Sequence, residues 1–550
     1  MSNQNNSVMG NRSVETSRRK MLLAATGVGV GSITSVIPTN AQTSGKNPVW
    51  EFETNDRVIS SPTIASDTVF FGSHDTNLYA IDRVSGDKKW EFETDNVVSS
   101  SPTVSGNTVF LGSHDANLYA VDIEDGTELW RFEGDGPIIS SPTVLDDRIF
   151  VGSSTKLYAL DEQEGDLLWD FDTETNTSSP AVIENRSEKL SLQPESTNLI
   201  TSSPTVADGA VYIKGGESKI YALSAEDGEL LWVSEVRKTD QLSKKAPITK
   251  SKLTSRNDYL QKLTANKMSD IISSQASISF SSSPTVSDGK LFVGGFDKSL
   301  FALDTEDGSE QWIFDIDTDV PSQLLEFHKS AQQQRSRGSE LSSPTAINGI
   351  VYITDEHGTI YAIDTRDGEL LWLTELRSTA SLSTESTIAE HTENKRDPVA
   401  NRTKADKTSD PSKLQVGFSI ISSPTVADGR VFVGSFNRLY ALDSEDGSKK
   451  WFFESGNNVA SSPTVVDGTV YFGSNDGDMY AIETEISGSS EGSRVLLETL
   501  GHHDSSTAST SSKNNINDVF GPGFSFGSTI AGFSGIAYLL KRRFSVKKST

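Results

Sequence analysis

The strongest constraint on the fold is an internal repeat, because Ser-Ser-Pro-Thr occurs eight times in the chain. A Leu/Ile/Met-Tyr/Phe-Ala motif also occurs eight times, and all eight tryptophans take one place in the repeat. The prolines are Pro62, Pro102, Pro142, Pro204, Pro284, Pro344, Pro424 and Pro463, and the tryptophans are Trp50, Trp90, Trp130, Trp169, Trp232, Trp312, Trp372 and Trp451. Self-similarity at a fixed period of about 40 residues is the signature of a propeller, a solenoid or another repeat array.

Each repeat predicts four β-strands. Residues 97–130 hold four short runs of β-branched and aromatic residues, separated by Gly, Asn and Asp. Four strands in about 40 residues is typical of a propeller blade, and the runs lack the 3.6-residue periodicity of helix pairs. Because proline cannot donate to a sheet ladder and belongs on an edge, Ser-Ser-Pro-Thr predicts the inner strand of each blade. The tryptophan run then predicts the outer strand.

The order of the motifs predicts how the ring closes. Trp50 precedes the first Ser-Ser-Pro-Thr, whereas the last repeat ends near Ile482 without a tryptophan. The N-terminal strand should therefore complete the last blade, which places Trp50 near Met479 and removes both free sheet edges. We predict an all-β fold, an eight-bladed β-propeller of four-stranded blades that spans residues 48–484.

The repeat resembles a known family. The pattern Ala-x-Asp-x-x-x-Gly-x-x-x-Trp stands in six repeats, first as Ala80, Asp82, Gly86 and Trp90, and Ser224 replaces the aspartate in the fourth. It resembles the quinoprotein-type propeller, or pyrroloquinoline-quinone-like repeat, of BamB-like proteins. The resemblance implies that the eight tryptophans dock neighbouring blades and do not bind a ligand.

Exceptions to the repeat suggest where function lies. Four links between an outer strand and the next inner strand are lengthened, by insertions at 170–200, 233–280, 313–341 and 373–420. Such links lie on the same face of a propeller as the loops between second and third strands. We therefore expect the four insertions to form a cap over about half of that face, where a partner could bind.

The second insertion is basic in a chain with 76 acidic and 49 basic residues and a net charge of −27. This patch should attract an anionic partner; contact with the protein's own acidic surface and disorder are the alternatives. The candidate partner-binding residues are Arg237, Lys238, Lys244, Lys245, Lys250, Lys252 and Arg256. Candidate glycosylation sites, from Asn-x-Ser/Thr, are Asn176, Asn185 and Asn401.

The N-terminal end predicts an export signal. Residues 1–41 contain paired arginines, a short apolar run and small residues before Ala41, which resembles a twin-arginine signal. We expect cleavage near Ala41, with a retained membrane anchor as the alternative.

The C-terminal end predicts an anchor. A Ser/Thr-rich tether at 487–518 precedes an uncharged segment at 519–540, which is long enough to cross a bilayer, and a basic tail at 541–550 that should stay cytoplasmic. Pro522, Gly523 and Phe524 resemble the archaeal Pro-Gly-Phe sorting signal, which implies exchange of the tail for lipid. We expect an exported protein, anchored at the extracellular face of the membrane.

Composition excludes several function classes. The net charge of −27 excludes a general duplex nucleic-acid binder and suits a soluble acidic protein in high salt. The chain has no cysteine, so it has no disulfide, thiolate nucleophile or cysteine-ligated metal.

No catalytic, cofactor or metal residue is predicted. His74 and His114 share the sequence Gly-Ser-His-Asp and are interpreted as repeat features, and His357 lies in the matching loop of another blade. The predicted function is a noncatalytic cell-surface scaffold that binds a protein or glycan. The resemblance implies one alternative, a pyrroloquinoline-quinone- and calcium-dependent dehydrogenase. A structural surface-layer or adhesion component is the other.

Overall fold

The structure is a computed structural model that describes residues 46–180, 200–216, 219–236, 248–249, 282–295, 298–320, 341–376 and 422–491. This part of the chain forms eight antiparallel sheets, with one short helix, α1 (Ile316–Asp319). The predicted segments 1–41 and 519–550 lie outside it.

Each sheet is one blade, with an inner, a second, a third and an outer strand in that spatial order. Blades 1 to 4 contain Thr63–Ala65, Thr68–Gly72, Asn77–Asp82 and Lys88–Glu93; Thr103–Ser105, Thr108–Gly112, Asn117–Asp122 and Glu128–Glu133; Thr143–Leu145, Arg148–Ser153, Lys156–Asp161 and Leu167–Asp172; and Thr205–Ala207, Ala210–Lys214, Lys219–Ser224 and Leu230–Glu235. Blades 5 to 8 contain Thr285–Ser287, Lys290–Gly294, Ser299–Asp304 and Glu310–Asp315; Thr345–Ile347, Ile350–Thr354, Thr359–Asp364 and Leu370–Glu375; Thr425–Ala427, Arg430–Ser435, Arg438–Asp443 and Lys449–Glu454; and Thr464–Val466, Thr469–Gly473, Asp478–Glu483 and Trp50–Glu53.

The N-terminal strand closes the ring, as the motif order predicts. Trp50–Glu53 is the outer strand of blade 8, with Trp50 opposite Ala481 and Phe52 opposite Met479 in an antiparallel ladder. The inner strands of blades 8 and 1 are also neighbours. The prediction of an eight-bladed propeller with this closure is therefore confirmed.

Ser-Ser-Pro-Thr builds the hub. The second serine of each motif donates its backbone N–H to the hydroxyl of the same serine in the next blade, at 2.9–3.1 Å. These hydrogen bonds run in a closed circle through Ser61, Ser101, Ser141, Ser203, Ser283, Ser343, Ser423 and Ser462. The threonine adds a second bond across the boundary, as when Thr103 donates to the Pro142 carbonyl at 2.6 Å. Since the contact is made eight times, the motif recurs eight times.

The second motif joins the blades farther from the axis. Ala80 lies opposite Trp90 between the third and outer strands of blade 1, and Asp82 accepts N–H bonds in the following turn. Gly126 of blade 2 has φ +75°, and a Cβ there would lie 2.7 Å from the Trp90 ring. The Trp90 Nε1–H also donates to the Ile123 carbonyl of blade 2 at 3.1 Å. The same glycine contact holds Trp50, Trp130, Trp169, Trp232, Trp312 and Trp372.

Two blades have a fifth strand that the repeat does not predict. Thr177–Pro180 pairs with the outer strand of blade 3, and Ile248–Thr249 pairs with the outer strand of blade 4. Both strands belong to the first two insertions. Each covers an outer sheet edge that would otherwise be unpaired.

Candidate functional site

The alternating strand directions give the ring two different faces. One face, here called the loop face, carries the loops between second and third strands and the links from each outer strand to the next inner strand. The other, here called the turn face, carries the tight turns between first and second strands and between third and outer strands. All four long links begin on the loop face, because every outer strand ends there.

The described parts of the first two insertions do not lie over the axis. After the turn at Asn176, which has φ +53°, Thr177–Pro180 runs back along the circumference of blade 3. Ile248–Thr249 takes the same place on blade 4. These two segments therefore extend the rim, and a cap over the loop face stays a prediction for residues outside the described part.

Most of the predicted partner-binding and modification residues lie outside the described residues. This holds for all seven candidate partner-binding residues of the second insertion, for Asn185 and Asn401, and for the Pro522-Gly523-Phe524 motif. Asn176 is described and is half-buried in the turn before the fifth strand of blade 3.

Two histidines meet on the loop face. His74 and His114 lie in the loops between second and third strands of blades 1 and 2, and their ring centroids are 6.5 Å apart. The Nε2 atom of His74 is 3.1 Å from Ser99 Oγ, and that of His114 is 3.0 Å from the same oxygen. Because a serine hydroxyl has one proton to donate, at least one imidazole donates its own Nε2–H to Ser99.

Burial keeps both histidines uncharged at neutral pH. Burial, together with the positive charge of Arg57, lowers the pKa of His74 to about 4. Burial also lowers the pKa of His114. The repeated sequence around the two histidines is visible without a structure, but it does not indicate that their side chains converge on one serine. His74 and His114 lie two residues after Gly72 and Gly112. Two residues after the equivalents of these glycines, the other blades have Ser154, Gly216, Glu356, Phe436 and Asn475 where the residue is described.

The closing seam of blade 8 carries a cluster of carboxylates. Asp478, at the start of the third strand, lies opposite Glu53 of the N-terminal strand. Burial and the negative charges of Asp476 and Glu51 together raise the pKa of Asp478 to about 7. The Tyr480 hydroxyl donates to Asp476 Oδ2 at 3.0 Å. The seam is therefore a place where like charges face each other across two strands.

This like-charge pair is unique among the eight blades. In every blade the outer-strand residue at this position is acidic, and in the other seven its cross-strand partner is neutral or basic. The pairs are Asn77 with Glu93, Asn117 with Glu133, Lys156 with Asp172, Lys219 with Glu235, Ser299 with Asp315, Thr359 with Glu375 and Arg438 with Glu454.

Both ends of the described chain lie on the turn face. Lys46, just before the N-terminal strand, donates to the Glu483 carbonyl at 3.1 Å. After the last strand, residues 484–491 cross from blade 8 to blade 7: Ser490 N–H donates to the Val465 carbonyl and Glu491 N–H to that of Val426. The first residues of the predicted tether, 487–491, thus pack on the propeller.

The acidic turns are explained by local hydrogen bonding. Asp125, for example, accepts the Thr127 N–H at 3.0 Å and its hydroxyl at 2.8 Å, which lowers the pKa of Asp125. Across the described ranges, no three His, Cys, Asp or Glu side chains are grouped as metal ligands. Nor does this part of the chain contain a helix that is long and apolar enough to cross a membrane.

A protein-family model agrees with the repeat architecture. The model, described as outer membrane protein assembly factor BamB, matches residues 39–101, 95–200, 181–265, 252–403 and 405–489. The chain belongs to this family. The BamB-like resemblance that the repeat predicts is thereby confirmed.

Similarity to individual BamB proteins is distant. The chain is 25% identical over 229 residues to BamB of Yersinia pestis, covering 40% of this chain and 52% of that protein. It is 23% identical over 188 residues to BamB of Escherichia coli K12, covering 33% and 45%. The chain thus spans about half the length of the curated relatives it matches.

Among solved structures, BamB from Moraxella catarrhalis matches with a TM-score of 0.49 at 15% identity, covering 80% of this chain and 98% of that one. A quinohemoprotein alcohol dehydrogenase from Comamonas testosteroni matches with a TM-score of 0.49 at 14% identity, covering 80% and 76%.

Proposed function

We propose that this BamB-family propeller is a noncatalytic, membrane-attached scaffold that binds a protein partner on its loop face. The observation that carries the proposal is the separation of the two faces. All four lengthened links leave from the loop face, whereas both ends of the described chain lie on the turn face. The relatives are named as assembly factors, and an assembly factor acts on other proteins.

The path of residues 484–491 gives the proposed anchor a direction. These residues run along the turn face and end beside the inner strand of blade 7. A tether that continues to the predicted membrane segment at 519–540 would start from that face. The loop face would then point away from the membrane, toward partners at the outer surface of the cell.

The positions of the tryptophans favour a scaffold over the quinone-dependent alternative. The family resemblance implies that a quinone dehydrogenase holds its cofactor on the axis against a tryptophan. All eight tryptophans here lie on outer strands, and seven pack against a glycine of the next blade. We therefore expect titration with pyrroloquinoline quinone and Ca²⁺ to give no saturable quenching of tryptophan fluorescence. Saturable quenching with dye-linked alcohol or sugar oxidation would support the enzyme instead.

Capture from a surface extract tests the scaffold directly. In one variant, each long link between an outer strand and the next Ser-Ser-Pro-Thr, at 173–201, 236–281, 316–341 and 376–421, is replaced by the short link of residues 94–99. In a matched control, Asp125, Asp227 and Asp446 on the turn face are changed to asparagine. We expect the wild type and the control to retain a specific protein and the short-link variant to lose it, with all three melting cooperatively. Equal retention by the short-link variant would refute the loop face as the binding surface, and periodate-sensitive retention would identify a glycan.

A further inference from the structure

We propose that His74 and His114 form a two-nitrogen site for a borderline transition-metal ion, such as Zn²⁺ or Cu²⁺, on the loop face between blades 1 and 2. The two Nε2 atoms converge on one point, at 3.1 and 3.0 Å from Ser99 Oγ. An ion bound to both nitrogens at about 2.0–2.1 Å requires them to lie within about 4 Å of each other. Metal binding would therefore turn both imidazoles toward each other and displace the Ser99 hydroxyl from between them.

The donor set suits this class of metal. Neutral imidazole nitrogens are preferred ligands of Zn²⁺ and Cu²⁺, at about 2.0–2.1 Å for Zn²⁺, and burial keeps both rings uncharged. No third His, Cys, Asp or Glu of the described residues joins them, so the remaining coordination positions fall to water or to a partner's side chain.

The loops that carry the histidines are held firmly enough to orient them. His74 N–H donates to the Arg57 carbonyl at 2.9 Å and His114 N–H to that of Val97 at 3.0 Å. Asp75 Oδ1 accepts the Asn77 N–H, and Asp115 makes the same bond in blade 2. Such support fixes a ligand's position before the metal arrives. Both imidazoles are only half-buried, so an ion can reach them from solvent.

The competing explanation is that the histidines and Ser99 only brace two blades. The other blades argue against a need for histidine there, because blade 8 has Asn475 at the matching position and closes its loop with the same backbone bonds. Asparagine is therefore the substitution that removes the imidazole and keeps a side chain that the fold accepts.

Metal titration of the full-length chain tests the proposal. His502→Asn and His503→Asn are included throughout to remove the adjacent pair in the tail. We expect Zn²⁺ to bind one saturable site by calorimetry, and bound Cu²⁺ to show two nitrogen ligands by electron paramagnetic resonance. His74→Asn or His114→Asn should each weaken Zn²⁺ binding by about tenfold or more and leave one nitrogen ligand on Cu²⁺.

His357→Asn is the matched control, because His357 lies in the corresponding loop of blade 6 but outside the pair. It should leave both signals unchanged. Absence of saturable binding, or binding that survives both single substitutions, would overturn the proposal and leave the histidines as a brace. Unchanged melting of the metal-free variants shows that any loss is not a loss of fold.

Discussion

Replacement of Asp478 by asparagine should strengthen the closing seam at neutral and alkaline pH. Asp478 faces Glu53 across the ladder that pairs the N-terminal strand with the third strand of blade 8, with Asp476 and Glu51 nearby. An asparagine amide keeps the size of the side chain, removes the charge and can donate to the remaining carboxylates. Blades 1 and 2 already have this arrangement, with Asn77 and Asn117 at the matching position.

The size of the effect follows from the pKa of Asp478, which rises from 3.8 to about 7 on folding. Three pK units correspond to about 4 kcal/mol at about 1.4 kcal/mol each. Because Asp478 is partly exposed, solvent screening reduces this to about 1–2 kcal/mol. The folded state holds the proton between pH 4 and 7, where the unfolded state has lost it, so this group lowers stability as pH rises through that window. Below pH 4 the penalty disappears.

Hydrogen exchange along residues 49–53 measures this local stability. At pH 8, after correction for intrinsic rates, the Asp478→Asn variant should show about 5- to 30-fold more protection than the wild type, and at pH 4 the two should agree. The matched control is Asn77→Asp, which creates the same like-charge pair with Glu93 and should lower protection of the outer strand of blade 1 at pH 8. Equal protection of residues 49–53 in the wild type and in Asp478→Asn at pH 8 would refute the electrostatic reasoning. The same gain in protection at pH 4 and at pH 8 would also refute it.

Three further predictions concern stability. Gly126→Ala should lower the free energy of unfolding in urea by about 2–5 kcal/mol, from a left-handed backbone and a clash with tryptophan, whereas Gly209→Ala, which has φ +76° but open space, should cost about 1–2 kcal/mol. Ser101→Ala removes the acceptor of a hub hydrogen bond and should lower the free energy of unfolding by about 1–3 kcal/mol. Its control, Ser105→Ala, should change the free energy of unfolding by less than about 0.5 kcal/mol. A chain truncated after residue 483 should melt at a lower temperature than a chain truncated after residue 491, because it lacks the segment that crosses from blade 8 to blade 7. Equal melting temperatures would show that this segment does not stabilise the propeller.

The blades were predictable because their contacts repeat. One geometric requirement at the hub selects the same serine, proline and threonine eight times, and one requirement at the blade boundary selects the same glycine and tryptophan. The closure of the ring was predictable as well. The N-terminal tryptophan strand precedes the first complete repeat, and the last repeat lacks such a strand. Such contacts leave a periodic signal that a single sequence displays.

Contacts that occur once leave no such signal. The fifth strands at Thr177–Pro180 and Ile248–Thr249 are short, and each is stabilised by an available sheet edge and not by a pattern of its own. Residues 487–491 have the composition of a tether, yet the Ser490 N–H donates to the Val465 carbonyl and the Ser490 hydroxyl accepts the Val465 N–H. In both cases the partner surface decides the structure, and it exists only after the ring has formed.

The seam shows that a singular feature can still be found by comparing repeats. Aligned with Asn77 and Asn117, Asp478 is the only acidic residue at its position, and the acid opposite it is shared by every blade. The comparison becomes informative once the N-terminal strand is assigned to blade 8, because only then does Glu53 become the partner of Asp478. In the other seven blades a short turn joins the third strand to the outer strand, whereas in blade 8 these two strands come from opposite ends of the described chain and pair only through this ladder. Charge at residue 478 therefore acts on the one blade in which no turn holds the outer strand to the third strand.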